Sequence, residues 1–380
     1  MRAQDYTSLQ TPFYSYDMKL LRRTLIECKT QANKYKYHVH YALKANANDE
    51  ILQAIQAEGF GADCVSGNEV LAAMKNGFSN TKIVFAGVGK SDKEIIDALD
   101  ANIFCFNVES KQELEVLNEL AAAKSKTASI ALRINPNVNA NTHHYITTGL
   151  EENKFGINHW ELQELLSLLA QLKNIKLIGL HFHIGSQITD LNVFKSLCLK
   201  VNEYVQWFEE NKQTVHIINV GGGLGINYVY PDEHAVPNFE AYFQLFHQLL
   251  HVKNHQEVHF ELGRALVAQC GTLISKVLYI KEGLQTNFVI LDAGMTELLR
   301  PALYQAYHKI ENLSNTDTTI IKKYDVVGPI CESSDCFGKA LELPITKRGD
   351  YIAIRSAGAY GEVMRSGYNL REANKVNYEL

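Results

Sequence analysis

Tyr41-Ala42-Leu43-Lys44-Ala45-Asn46 closes the first clearly hydrophobic strand of the chain, His38 to Leu43. It delivers a lysine where a strand should emerge from a core. A lone lysine at such a point is usually a solvated charge. Here the same plan recurs along the chain, with strand-like segments at 38–43, 62–65, 82–86, 103–107, 129–134, 176–184, 214–220 and 257–262. Most end in a residue capable of chemistry or in glycine. Helical patterns lie between them, at 49–58, 67–76, 91–99, 111–122, 161–171, 191–209 and 239–252. Strand alternating with helix at this spacing predicts parallel pairing with right-handed crossovers. Eight such units in about 225 residues predict a closed (β/α)8 TIM barrel. A doubly wound sheet is the competing reading. Against it, no glycine-rich fingerprint follows the first strand, and the candidate residues are spread over nearly every strand end.

The texture changes after about Glu261. Val267–Lys281, Phe288–Asp292, Lys322–Val327 and Tyr351–Arg355 read as strands with turns between, and Glu297–Tyr307 holds a turn or two of helix. At the other terminus, Thr11–Tyr16 reads as an extended piece. Asp17 is placed to cap a helix from Met18 to about Tyr35, with Leu20, Leu21, Leu25 and Ile26 on one face. A strand there needs partners, and the far end of the chain can supply them. The expected organisation is a barrel over residues 30–262 and a mostly β-barrel domain from residues 1–29 and 263–380, completed by the N-terminal strand. A long irregular stretch, 135–158, interrupts the barrel pattern.

With 380 residues, 46% of them hydrophobic, the chain can bury two cores. A formal charge of -5, well mixed along the sequence, argues against a nucleic-acid partner. The seven cysteines form no tight pair, as expected of reduced thiols in a cytoplasmic protein rather than a disulfide scaffold or zinc ribbon. No apolar run reaches the length of a membrane span, and the start lacks the apolar segment of a signal peptide.

The active face of a TIM barrel is the carboxyl edge of its strands. The residues expected there are Lys44, Asp63, Ser66, Gly87, Asn107, Arg133, His183, Ser186, Gly221, Gly222, Gly223, Glu261, Gly263 and Arg264. Together they suit a charged, planar cofactor. Lys44 offers an amine that can condense with an aldehyde. The three glycines expose backbone N–H groups and, with Ser186, can hold a phosphate. Glu261 can keep a pyridine nitrogen protonated; the plainer reading is a salt bridge to a nearby lysine or arginine. One of His181 and His183 can stack on the ring, with His183 nearer the pocket; metal binding and core packing are the alternatives. Arg264 and Arg300 suit bidentate recognition of a carboxylate. Cys331 and Glu332 place a proton donor beside an ammonium receptor.

The chain resembles the diaminopimelate decarboxylases, of the fold type shared with alanine racemase and the eukaryotic-type ornithine decarboxylases. The resemblance runs from Thr11-Pro12 to Tyr368-Asn369. It is carried by YALKAN at 41–46, HFHIGSQ at 181–187, NVGGGLG at 219–225, the ExGR of Glu261–Arg264, RPALY at 300–304, GPICES at 328–333 and SAGAYG at 356–361. It implies that Lys44 holds pyridoxal 5'-phosphate and that His183 stacks on its ring. Glu261 would pair with the ring nitrogen. Ser186, Gly221, Gly222, Gly223, Gly263, Arg264 and Tyr360 would surround the phosphate. Arg264, Arg300, Tyr304 and Tyr360 would bind substrate, with Glu332 taking its distal amine and Cys331 protonating or gating the reacting carbon. In such enzymes Cys331 and Glu332 serve the active site of the other subunit, so a homodimer with shared sites is implied. No metal is implied.

The implied reaction is decarboxylation of meso-2,6-diaminopimelate to L-lysine and carbon dioxide, the last step of lysine biosynthesis. A decarboxylase of the same fold acting on ornithine, lysine, arginine or a carboxylated polyamine is the alternative. A racemase is disfavoured because racemases of this fold set arginine, not glutamate, against the ring nitrogen. A cofactor-binding protein without turnover would have no use for Cys331, Glu332 and Arg300. One departure stands out: Leu262 occupies the position where the family usually has proline, which removes a fixed φ from that turn.

Overall fold

The computed structural model describes residues 3–138, 154–372 and 375–379, with no side chain described for Lys375. Most of the irregular stretch at 135–158, namely 139–153, lies outside the described residues. Contacts divide the chain into two units. A barrel unit comprises Leu25–Gly225 and Asn238–Gly263, and a sheet unit comprises Met1–Thr24, Ile226–Pro237 and Arg264–Leu380.

The sheet unit opens with β1 (Phe13–Asp17), which runs into α1 (Met18–Asn33). Asp17 caps that helix, accepting the Leu20 N–H at 2.8 Å. Its buried face differs from the expected one. Met18, Leu21, Thr24, Leu25, Cys28 and Ala32 are buried, Leu20 is half-buried and Ile26 is 52% exposed. At 100° per residue the face through Leu21, Leu25, Cys28 and Ala32 leaves Leu20 and Ile26 on its two flanks.

The barrel is closed by eight parallel strands in chain order. They are β2 (His38–Ala42), β3 (Gly61–Cys64), β4 (Ile83–Phe85), β5 (Cys105–Val108), β6 (Ala128–Arg133), β7 (Ile175–His181), β8 (Ile217–Asn219) and β9 (Glu257–Leu262). Closure occurs between β2 and β9, with His38 opposite His259 and Tyr41 opposite Leu262. The crossover helices are α2 (Asp49–Ala57), α3 (Gly67–Lys75), α4 (Asp92–Asp100), α5 (Lys111–Ala123), α6 (Leu162–Leu169), α7 (Asn192–Glu210) and α8 (Phe239–Leu249). Several start on serine caps. Ser91 and Glu94 form a capping box, and Ser110 accepts the Glu113 N–H at 3.1 Å. Ser66 does the same for α3, accepting from Glu69 at 3.2 Å, so this strand-end residue is accounted for as a cap.

Beyond the barrel, Arg264–Val267 forms one helical turn, so the strand expected from Val267 begins only at Gly271. Residues 264–268 are buried throughout, and a short run buried on all sides carries no period to separate helix from strand. The remaining strands are β10 (Gly271–Glu282), β11 (Asn287–Leu291), β12 (Ile310–Asn312), β13 (Ile321–Val327), β14 (Cys336–Pro344), β15 (Tyr351–Ile354) and β16 (Lys375–Glu379). They join in the order β12-β15-β10-β11-β13-β14, with β1 on β10 and β16 on β1. The first and last strands run parallel, with Phe13 opposite Lys375 and Asp17 opposite Glu379. Within Glu297–Tyr307 only Arg300–Tyr304 is helical, ending where Gln305 takes a left-handed φ of 53°.

Candidate active site

Lys44 sits in a 3-10 turn, Leu43–Ala45, at the carboxyl end of β2. Its Nζ lies 2.6 Å from Oδ2 of Asp63, near the end of β3. The Asp63 side chain is fully buried while that of Lys44 is 36% exposed, so the amine can be reached while its counter-charge cannot. Burial and the nearby Glu261 charge push the Asp63 carboxyl up, and Lys44 opposes both.

Glu261, on β9, sits at the centre of a buried polar set. Its Oε1 accepts from Asn107 Nδ2 at 3.1 Å and Asn219 Nδ2 at 2.7 Å, and its Oε2 lies 2.9 Å from His181 Nε2. Burial pushes this carboxyl up. The charge and hydrogen bond of His181 and the charge of Lys44 outweigh it and leave Glu261 well below the usual carboxylate range. It is held ionised by histidine and asparagines, not by the lysine or arginine salt bridge expected of a purely structural carboxylate.

The two histidines of HFHIGSQ separate because β7 ends at His181. His181 is 1% exposed and turned to Glu261, while His183 is half-buried beyond the strand. Gly222 donates its N–H to His183 Nδ1 at 3.4 Å. Burial and the charges of Arg133 and Lys44 hold His183 well below its ordinary value, so it is a neutral ring. Gly221 follows β8 with φ of 71°, where its N–H binds Asn219 Oδ1 at 2.9 Å. A side chain at Gly221 would meet the Phe182 carbonyl, and one at Gly222 the Glu261 carbonyl. This loop must therefore remain bare backbone. Ser186 is half-buried in the loop after β7, next to Gln187 with φ of 59°. Gly263 directly follows β9, against Ala42 and Ala45.

The sheet unit contains a second cluster. Arg264 donates to Tyr228 Oη at 2.7 Å, and its guanidinium carbon lies 4.9 Å from the Tyr360 ring centre. Arg300 lies 4.9 Å from the Tyr228 ring centre and hydrogen-bonds His308 Nε2 at 2.7 Å. Both arginines are buried, Arg300 to 5% exposure. Among the described residues no carboxylate lies within ion-pair distance of Arg300, and its Nε has no partner. Tyr304 closes the short helix that Arg300 opens. Cys331 and Glu332 lie elsewhere in this unit, on an exposed turn. There Tyr368 Oη donates to Glu332 Oε1 at 2.7 Å and the Cys331 N–H to Asn369 Oδ1 at 3.3 Å.

Residues 19–268 match the family model described as pyridoxal-dependent decarboxylase, pyridoxal binding domain. A diaminopimelate decarboxylase of Bacteroides thetaiotaomicron is 58% identical over 97% of this chain and 96% of its own length. The chain belongs to the diaminopimelate decarboxylase family. Another relative, from Aquifex aeolicus, is 39% identical over 95% of this chain and 84% of its own. Among solved structures, the Helicobacter pylori diaminopimelate decarboxylase complexed with L-lysine superposes with a TM-score of 0.93. It is 39% identical, over 99% of this chain and 93% of that one.

The cofactor of these decarboxylases is pyridoxal phosphate, and the barrel's residues fit it. Asp63 Oδ1, Asn107 Oδ1 and His181 Nδ1 are buried without a partner among the described residues. An accessible amine, a carboxylate held below its usual range and a bare glycine loop lie at one edge of the same barrel. An apolar ligand would leave those polar atoms uncompensated. Asn219, Tyr228 and His308 were assigned no binding role by their positions in sequence, whereas Asp63 and His181 were placed at the active edge without their observed partners. For Asp63 a signal existed, its place at a strand end. For Tyr228 and His308 none did, because each serves an arginine distant in the chain.

Proposed function

We propose that the protein decarboxylates meso-2,6-diaminopimelate to L-lysine and carbon dioxide. The observation that carries the substrate is Arg300, a buried guanidinium with no carboxylate partner among the described residues. A buried cation left so is costly unless an anion arrives to complete it. A diamino dicarboxylate brings that anion on the end remote from the reaction, whereas ornithine and lysine do not. The 58% identity to the Bacteroides enzyme supports the same substrate.

Bound pyridoxal phosphate supplies an aldehyde that takes up an amino group and a ring that accepts the electron pair released when carbon dioxide leaves. Lys44 would hold the cofactor through Nζ, with buried Asp63 orienting the amine. Ionised Glu261 would hold a proton on the ring nitrogen, and the neutral His183 ring would stack on the cofactor without competing for that proton. Ser186, Gly221, Gly222, Gly223, Gly263, Arg264 and Tyr360 bind the phosphate. Arg264, Arg300 and Tyr304 would take the distal carboxylate and Glu332 the distal ammonium, with Tyr360 also contacting substrate. Cys331 delivers or gates the proton at the reacting carbon. The exposed turn of Cys331 and Glu332 supports their serving a partner subunit, which makes the working unit a homodimer with shared sites. Seven free cysteines support a cytoplasmic setting. No helix among the described residues is long and apolar enough to cross a membrane.

The test supplies purified protein and pyridoxal phosphate with meso-diaminopimelate, L-ornithine or D-alanine and measures carbon dioxide and L-lysine. Lysine formed from diaminopimelate alone supports the reading; equal turnover of ornithine moves the enzyme to another diamino acid. Arg300→Ala is expected to raise KM on the order of 10²-fold, the value of a lost charge-assisted pair, with cofactor still bound. Unchanged KM would remove Arg300 from the substrate.

A further inference from the structure

At the opposite, amino-terminal end of the barrel, β2 and β9 build a cluster that the decarboxylation does not use. TIM barrels ordinarily fill their interior with branched aliphatic side chains. Here residues 257, 259 and 261 of β9 share one face, as do 38 and 40 of β2. Polar groups therefore descend from Glu261 through His259 and His40 to Glu257 and His38. His259 Nε2 lies 3.4 Å from Glu257 Oε2, and His38 Nε2 lies 3.6 Å from the same oxygen. The three residues can each present one ligand atom within 4.8 Å of the others. They border a cavity of about 580 Å³, also lined by Tyr37, Phe60 and Phe104.

Hydrogen bonding decides which nitrogens carry protons. His40 Nδ1 is 3.1 Å from the Lys82 carbonyl oxygen, which can only accept, so this nitrogen donates. His40 Nε2 is then a lone pair, and it lies 2.8 Å from His259 Nδ1, which must donate to it. The remaining nitrogen of His259, Nε2, is left as a lone pair. It faces a carboxylate oxygen across 3.4 Å, and His259 is 4% exposed. Two acceptors in this position call for a cation between them. A proton joins only the His259–Glu257 pair, with His38 turning an N–H of its own to the same oxygen. A metal ion serves all three. Tetrahedral bonds of about 2.0–2.1 Å separate ligand atoms by about 3.3 Å, close to the two spacings seen.

The geometry points to a divalent transition-metal site of the zinc class, with His38, His259 and Glu257 as ligands and solvent from the cavity completing the shell. Two imidazoles and a carboxylate suit zinc rather than magnesium or calcium. His40 is the outer partner that sets the tautomer of His259, as ligating histidines generally require. Lys29, Lys36 and Lys82 border the same cavity and repel a cation, so coordination rather than the surrounding field supplies the affinity.

The test uses pyridoxal-phosphate-loaded protein, stripped with a chelator and titrated with zinc chloride against a chromophoric competitor. Cobalt(II) is the spectroscopic probe. One equivalent per chain is expected, with a tetrahedral cobalt spectrum lacking thiolate charge transfer. His38→Ala and Glu257→Gln, both at exposed positions, should each weaken zinc binding on the order of 10²-fold. His40→Gln should weaken it roughly 10–100-fold. Cys331→Ser should bind like the parent. Absence of saturable uptake, uptake indifferent to His38→Ala and Glu257→Gln, or a thiolate band overturns the site. Circular dichroism of the two exposed variants separates lost binding from lost fold.

Discussion

At Glu261 a carboxylate is buried, which by itself would neutralise it, yet it is held ionised by two asparagines and a histidine. Glu261→Gln keeps the shape and removes the charge. Its kcat should fall roughly 10²–10³-fold, the usual loss when a preorganised electrostatic partner is removed, while cofactor absorbance persists. Loss of cofactor instead would make Glu261 a binding residue only. His308 shows how a buried neutral group makes stability depend on pH. Burial, then the Arg300 charge, lowers it from 6.5 to about 3, and its Nδ1 donates to the Arg355 carbonyl at 2.8 Å. Between those two values the unfolded chain binds a proton that the folded one does not. Stability from this group is complete above pH 6.5 and is lost as pH falls towards 3, at about 1.4 kcal/mol per pH unit. Urea unfolding of His308→Gln across that window should show a slope shallower by about that amount; parallel profiles would refute the linkage.

At the scale of elements, the barrel strands and helices were legible from hydrophobic period, and the cap of α1 from Asp17. Where reading failed, the reason was local. The α1 face was misplaced because the four apolar residues within 20–26 admit two faces, and packing chose the one through Cys28 and Ala32. The glycine loop after β8 was recognisable by composition as a candidate phosphate cradle. The reason it must be glycine is tertiary, because the Phe182 and Glu261 carbonyls stand where side chains would go. Gly222→Ala should therefore reduce pyridoxal phosphate affinity at least about tenfold and lower the Tm, read by equilibrium dialysis and calorimetry. Normal affinity would show that the loop can yield. Leu262 lies inside β9 opposite Tyr41 and is 1% exposed, so this position falls within an intact ladder.

For the whole molecule, the proposed shared site makes a prediction that no single-chain measurement can. Lys44→Ala and Cys331→Ala should each be nearly inactive alone. Mixed, dissociated and reassociated, random pairing makes half the dimers mixed, each with one intact site. About a quarter of parental activity should then return. No recovery despite proven exchange would place both residues in the service of the same site. The parallel pairing of β1 with β16 joins the two ends of the chain, and Tyr6 Oη reaches Glu379 Oε1 at 2.8 Å.

The amino-acid sequence alone determined the eight-fold alternation of strand and helix, the change to a β texture near residue 262, and the lysine, glutamate and glycine loop at one barrel edge. These are periodic or local properties, written in neighbouring residues. Only the tertiary structure decided that Asp63 holds Lys44, that Asn107, Asn219 and His181 surround Glu261, that His308 holds Arg300, and that His38, His259 and Glu257 converge. Each of those contacts joins residues far apart in the chain. Their partners are chosen by strand register and burial, which no local pattern encodes.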